Sequence, residues 1–511
     1  MKPFKLSTAA LLALPLLAGR GSAADAPSSP TARFEDAIEA RVHEHILKNG
    51  LRVLVLERHE VPVVSFVTMA NVGSVDEHVG ITGVAHIFEH MAFKGSREIG
   101  VTDFDAEKAA LEKLDLLFAQ LNAEKAKGAR ADKAKLAELE KQFDLIEKDA
   151  LKYVVNNEYS VIVEQNGGHG LNASTGSDST QYFSSFPSNR LELWFSLEAD
   201  RFKEPVLREF FKEKGVVMEE RRMRTESSPF GKLLEEFLAI SFKAHPYGYP
   251  TIGHASDIAT LTREQAAAFF KKYYVPNNLT IAIVGDVDAK QVDALAERYF
   301  GPLPAGPAYE PVSTVEPPQQ GEKRVEVESP AQPIVGIAYH RPAATSPDDS
   351  VYDVIQELLS AGRTSRLYAH LVKEKQIAMQ AAAGSGFPGE KYPNLFILYG
   401  LPAVGHTADE LEKALEDEVE ALMKQPVEEA ELARVKTLAK ASFIRGMNSN
   451  HGLAMQLAQA QTILGDWHES FRALRKLDAV TAADVQRVAK ATFKKNNRTV
   501  GKIVKPEEGA E

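Results

Sequence analysis

The sequence predicts an α+β protein built from two related units, on three observations. Short apolar strand patterns alternate with stretches of helical periodicity, a helix-turn-strand run recurs 219 residues further along the chain, and a proline-rich segment separates the two copies. At 511 residues, with 44% hydrophobic and 26% charged side chains, the composition is that of an ordinary globular protein, and the length exceeds one domain of about 150 residues. The formal charge of −11 argues against sequence-independent binding to nucleic acid, which needs a basic face. Cysteine is absent, which excludes disulfides, thiolate metal sites and cysteine nucleophiles. Any metal must be held by histidines and carboxylates.

The N-terminus sets Lys2 and Lys5 before an apolar run from Leu6 to Ala18, followed by the small residues Gly21, Ser22, Ala23 and Ala24. That order reads as a secretory signal over residues 1–23, with the periplasm as destination in a host with two membranes. The run is shorter than the roughly 20 residues of a bilayer span, and no later stretch qualifies, so no membrane span is expected.

From Arg52 to Val67 the pattern alternates and then turns mostly apolar, predicting two short strands joined near His59 and Glu60, with Pro62 opening the second. Over residues 103–152, Leu114, Leu117 and Leu121 on one side of Lys127-Gly128-Ala129, and Leu136, Leu139, Phe143 and Ile146 on the other, predict an antiparallel helical hairpin inserted in a larger domain. Its many charges are read as solvated helix faces. Pro302, Pro304, Pro307, Pro311, Pro317 and Pro318 mark residues 301–322 as a linker between domains over 35–300 and 323–505. Leu261-Thr262 opens a helix leading to Val275-Pro276-Asn277-Asn278 and the strand Leu279 to Val284. Val480-Thr481 opens another, leading to Lys495-Asn496-Asn497 and the strand Thr499 to Val504. The match predicts duplication of a unit of roughly 220 residues.

The chemistry concentrates in Gly83-Val84-Ala85-His86-Ile87-Phe88-Glu89-His90-Met91. On a helix His86 and His90 share a face one turn apart, with Glu89 beside them, so two imidazoles can reach one ion. Zinc suits two neutral imidazoles and one carboxylate, leaving a fourth position for water, whose proton Glu89 can take. Ligand type favours zinc over manganese or cobalt, whereas affinity order alone does not decide. A third ligand is needed, and the helical stretch from Glu213 to Glu220 supplies acids seven residues apart on one face. Glu220 is the expected third ligand. Glu213, two turns back, is placed to accept a hydrogen bond from a ligand histidine or to tune the bound water.

These residues, with Gly170-Leu171-Asn172-Ala173-Ser174-Thr175 before Tyr182-Phe183, and His245-Pro246-Tyr247-Gly248 with Pro276-Asn277-Asn278, make the chain resemble the pitrilysin/insulinase family of inverted-zincin metallopeptidases. It is most similar in kind to the shorter bacterial members and to mitochondrial processing peptidase subunits, over roughly residues 40–505. The resemblance implies two homologous α/β-sandwich domains in a clamshell, usually closed by a second chain. It implies one zinc per chain on His86, His90 and Glu220, Glu89 as general base, and peptide-bond hydrolysis. It also implies that Asn172 and Ala173 belong to an edge strand to which an extended peptide substrate adds. His169 is not expected to be a ligand.

The second half contains no His-x-x-Glu-His. Where self-sufficient relatives present an Arg and a Tyr to the substrate carbonyl, this chain reads Glu374-Lys375-Gln376-Ile377-Ala378-Met379, one residue shorter and with neither. Oxyanion stabilisation is worth roughly 3 kcal/mol per donor, so the expectation is a related partner subunit that supplies the pair, in a heterodimer, or otherwise a slow homodimer. Arg363, Arg366 and Tyr368 lie nearby as possible substitutes. The competing reading is a non-catalytic structural or peptide-binding subunit. A zinc carrier fits less well, because the 14 histidines are scattered rather than gathered in a tract.

Overall fold

A computed structural model describes residues 36–506, so the expected secretory signal lies outside the described residues. Among the described residues no helix is long and apolar enough to cross a membrane. The strands form two sheets. The first contains β1 (His43–Ile46), β2 (Arg52–Glu57), β3 (Val63–Ala70), β4 (His169–Thr175), β5 (Thr180–Pro187) and β6 (Leu279–Gly285), in the order β1-β2-β6-β3-β5-β4. The second contains β7 (Lys323–Glu328), β8 (Ile334–Arg341), β9 (Ala378–Phe387), β10 (Asn394–Pro402) and β11 (Arg498–Val504), in the order β7-β11-β8-β10-β9.

The strands β2 and β3 follow one another in the chain, but they are not paired. β6 lies between them, parallel to β2 and antiparallel to β3. Every residue of β6 is buried, which is what an uninterrupted Leu-Thr-Ile-Ala-Ile-Val run favours: a central place covered on both faces.

The helices that matter for the site are α1 (Val84–Met91), α2 (Phe104–Lys125), α3 (Lys133–Ala150), α4 (Phe210–Arg221), α5 (Pro229–Ser241), α6 (Arg263–Tyr273), α7 (Asn450–Gln459) and α8 (Ala482–Thr492). α2 and α3 pack against each other, and Ala110, Leu111, Leu114 and Ala150 share a small core with Val206. Residues 304–320 carry no regular secondary structure.

The repeat seen in sequence is a repeat of structure. β2-β6-β3-β5-β4 and β7-β11-β8-β10-β9 have the same connectivity, with the first pair parallel and the others antiparallel. α6 and α8 both open on a capping box, Thr262 with Gln265 and Thr481 with Asp484. After each helix an asparagine donates from Nδ2 to two backbone carbonyls. Asn278 reaches Tyr273 O at 2.8 Å and Asn71 O at 3.2 Å. Asn497 reaches Thr492 O and His340 O, both at 2.9 Å.

The two halves also exchange helices. α5 from the first half lies on the second sheet, where Phe237 and Leu238 pack with Ala338 and Leu395. α7 from the second half lies on the first sheet, where Leu453, Ala454, Leu457 and Ala458 cover Leu54, Val67, Met69, Ala282 and Val284. Each sheet therefore depends on a helix from the other half, and a cut in the linker would strip apolar cover from both.

Replacing Asn278 or Asn497 by Ala leaves two carbonyls without their side-chain donor, so each change should cost about 1–3 kcal/mol in urea unfolding. A marked cost at one position and none at the other would mean that the two turns are not equivalent.

Candidate metal centre and substrate cleft

α1 begins where a glycine is required. Gly83 caps the helix at φ +89°, and a Cβ there would lie 2.7 Å from the carbonyl oxygen of Ile252. The first turn is held from outside by buried Glu77, whose Oε2 accepts from Gly83 N at 2.7 Å and whose Oε1 accepts from Ala85 N at 2.8 Å. A carboxyl group on the free N–H groups of a helix start satisfies them, and burial pushes the Glu77 carboxyl up to about 8. Val84, Ile87, Phe88 and Met91 are buried, which fixes the helix rotation and turns the polar residues toward α4.

The structure brings His86, His90 and Glu220 together. One ligand atom from each lies within 4.8 Å of the others. Glu220 Oε2 stands 3.7 Å from His86 Nε2 and 3.5 Å from His90 Nε2, and the imidazole planes are perpendicular with centroids 5.0 Å apart. Ligand atoms at roughly 2.0–2.1 Å from a tetrahedral zinc would be separated by roughly 3.3–3.5 Å, so spacing and donor set both fit that ion.

Burial holds the His86 imidazole below its usual pKa despite Glu220 nearby, favouring the neutral, ligating form. Its Nδ1 is buried and has no hydrogen-bond partner among the described residues, which leaves Nε2 as the atom directed at the carboxylate. His90 is oriented from behind: its Nδ1 donates to Glu213 Oε2 at 3.3 Å, 123 residues away in the chain. That hydrogen bond, aided by the surrounding carboxylates, raises the His90 pKa and leaves Nε2 for an ion. Burial pushes Glu213 upward, but hydrogen bonds from His90 and Lys94 outweigh it and hold this carboxyl below its usual range.

Three supporting side chains carry no motif of their own. Lys94 pairs with Glu213 Oε1 at 2.6 Å and Glu209 Oε2 at 3.1 Å, neutralising acids that would otherwise repel one another beside Glu220. Arg208 is buried and donates to both oxygens of buried Glu107 on α2, at 2.6 and 2.9 Å. It also donates to the carbonyls of Lys94, Ser96 and Ile99, at 2.8, 2.8 and 2.9 Å, so the hairpin clamps the segment that leaves α1. Arg224 pairs with the other oxygen of Glu220. The only sequence signal for Lys94 and Arg224 is spacing: each lies four residues past a candidate ligand, His90 or Glu220, although Lys94 stands beyond the end of α1.

A cleft of about 790 Å³ opens in front of the three side chains, lined also by Glu89, Val216, Met223 and Ile252, with Asn172, Ala173, Ser174 and Thr175 contributing from β4. β4 is an edge strand of its sheet, pairing only with β5 among the described residues, Asn172 opposite Phe183 and Ala173 opposite Tyr182. Asn172 is exposed, and its Oδ1 accepts from Ala173 N at 2.9 Å. One long side of β4 therefore offers backbone groups to the cleft. His169 starts the strand, exposed and outside the cleft lining. Gln376 sits at φ +54° between a π-type turn over Leu367–Glu374 and β9, and Arg366 is taken up by Glu431 at 2.6 Å.

Two family profiles match the chain. "Insulinase (Peptidase family M16)" covers residues 52–114, which include His86, Glu89 and His90, and "Peptidase M16 inactive domain" covers residues 260–438. The chain is 28% identical over 470 residues to "Zinc protease PqqE" of Helicobacter pylori, covering 89% of this chain and 91% of that one. A crystal structure of a protease from Helicobacter pylori superposes with a TM-score of 0.75 at 26% identity, covering 91% of this chain and 99% of the other. The first half of the periplasmic protease PqqL from Escherichia coli gives a TM-score of 0.64 at 18% identity, covering 91% and 92%, a likeness of fold.

Glu213→Gln keeps the three candidate ligands but weakens the acceptor behind His90. It should lower zinc affinity by about 10–100-fold in a chelator competition, with the melting profile of the metal-free protein little changed. Unchanged affinity would remove Glu213 from the ion's support.

Proposed function

The chain belongs to the insulinase (M16) family of peptidases, and on that premise we propose that it is a zinc metalloendopeptidase acting on peptides or unfolded segments in extended conformation. The observation that carries the reading is the convergence of His86, His90 and Glu220 within 4.8 Å, in a cleft shared with Glu89 and the edge of β4. The profile named for an inactive domain covers residues 260–438, a stretch that contains no His-x-x-Glu-His and none of the residues lining this cleft.

In this reading His86, His90 and Glu220 hold the ion, which when bound acidifies a coordinated water and polarises a carbonyl. β4 binds the substrate backbone as an added strand, through N–H and C=O groups on the side where no strand among the described residues pairs with it. Glu89 takes the proton of the attacking water and delivers it to the departing amine nitrogen. Glu213 keeps His90 in the tautomer whose Nε2 is free, and Lys94 keeps Glu213 ionised. The proposal places the ion in the domain over residues 35–300 and leaves the domain over 323–505 without one. It includes export, supported by the residue order of the N-terminus and by a structural relative described as a periplasmic protease.

Glu89→Gln tests the reading. It should retain zinc at the wild-type ratio by mass spectrometry and lose about 10²–10⁴-fold in the rate of hydrolysis of an unstructured peptide. Wild-type hydrolysis by the zinc-loaded variant would refute Glu89 as the base. A wild-type chain that binds zinc and peptide yet cleaves nothing would support the non-catalytic reading.

A further inference from the structure

The stretch from Glu374 to Met379 brings neither an arginine nor a tyrosine to a substrate carbonyl, and the neighbouring Arg366 is committed to Glu431 at 2.6 Å. A cation nevertheless stands in the cleft, and it comes from the first half. Arg224 lies four residues past Glu220, inside a π-helical turn over Arg222–Glu226 that continues α4. Such turns are rare and often mark functional positions, because the wider turn re-aims the side chains it carries. The Nη1 of Arg224 forms an ion pair with Glu220 Oε1 at 2.8 Å, while Oε2 is the oxygen that faces both imidazoles. One carboxylate oxygen thus faces the imidazoles and the other faces the arginine.

This contact leaves most of the arginine free. Its side chain is 73% exposed, it lines the cleft, and Glu220 is its only ion-pair partner among the described residues. Guanidinium carries five N–H donors in a planar fork, so one edge can stay on Glu220 while the other faces a second oxygen. A peptide added along Asn172 to Thr175 would enter the cleft that Arg224 also lines.

Resting on the peptidase reading above, we propose that Arg224 is a catalytic residue that binds the scissile carbonyl oxygen and the negative charge that gathers there, in place of the absent Arg/Tyr pair. The water oxygen bonds to the carbonyl carbon as the C=O π pair moves onto oxygen, and Glu89 takes one water proton. Arg224 N–H groups donate to the charged oxygen. When that pair returns, the C–N bond breaks and the proton on Glu89 passes to the amine nitrogen. Water is divided across the bond, and no oxidant or reductant enters. The chain then needs no second subunit to supply this charge.

The test uses the full zinc-loaded chain with Arg224→Gln, Arg224→Lys and Glu89→Gln. Arg224→Gln should keep the wild-type zinc ratio, lose about 10²–10³-fold in kcat on an unstructured peptide and change KM only slightly, and Arg224→Lys should recover part of the rate. A phosphinate-containing peptide, whose tetrahedral anion resembles the charged oxygen, should bind Arg224→Gln about 100-fold more weakly than wild type. The matching uncleaved peptide should bind Glu89→Gln equally well with or without Arg224. The proposal is overturned if Arg224→Gln cleaves at the wild-type rate, if it loses zinc, or if the wild-type chain cleaves only after a second, related chain is added. A dead Glu89→Gln beside a fully active Arg224→Gln sinks this inference alone, whereas a zinc-loaded wild type that never cleaves sinks the peptidase reading with it.

Discussion

The site depends on holding one carboxylate oxygen of Glu220 within 3.7 Å of two imidazole nitrogens that belong to a different helix. Glu89, Glu213 and Glu220 crowd the same region, and partly buried acids repel unless cations or hydrogen bonds offset them. Lys94 and Arg224 supply fixed positive charge on either side, one behind Glu213 and one on the far oxygen of Glu220. Each helix is held from outside its own length. Glu77 caps α1 and Gly83 lets it meet Ile252, while Arg208 fastens the exit of α1 to α2 and to the entrance of α4. Rigid elements supported by such contacts can keep ligand atoms within fractions of an ångström of a binding geometry.

The duplicated scaffold has been put to two uses. Both halves share strand order, the helix with a capping box, and the asparagine that closes the turn after it. Only the first carries His-x-x-Glu-His, and the second contributes α7 as cover for the sheet behind the site. In return α5, which follows α4 and its π-helical turn, lies on the second sheet. Glu220 and Arg224 are therefore close in the chain to an element anchored in the other half.

Much of the site was legible in the sequence because its pieces are local. The four-residue spacing of His86 and His90, and the seven-residue spacing of Glu213 and Glu220, follow from helical periodicity. Asn172 and Ala173 were found through the family resemblance, and the strand order then puts them on an edge. The supporting residues were not legible. Arg208, Glu107 and Glu77 sit among ordinary charged residues, and only burial distinguishes them from solvated ones. Lys94 and Arg224 gain meaning only from the acids beside them in space.

From the sequence alone came the strands over residues 52–67, the helical hairpin, the helices bearing His86, His90 and Glu220, the repeat and the chemistry of the donor set, since each rests on a pattern along a short stretch. Tertiary structure alone decided that β6 separates β2 from β3, that the halves exchange helices, and that α1 and α4 meet through His90 and Glu213, 123 residues apart in the chain. Pairing and packing of that kind depend on which apolar faces are buried together, and no local pattern records the identity of a distant partner.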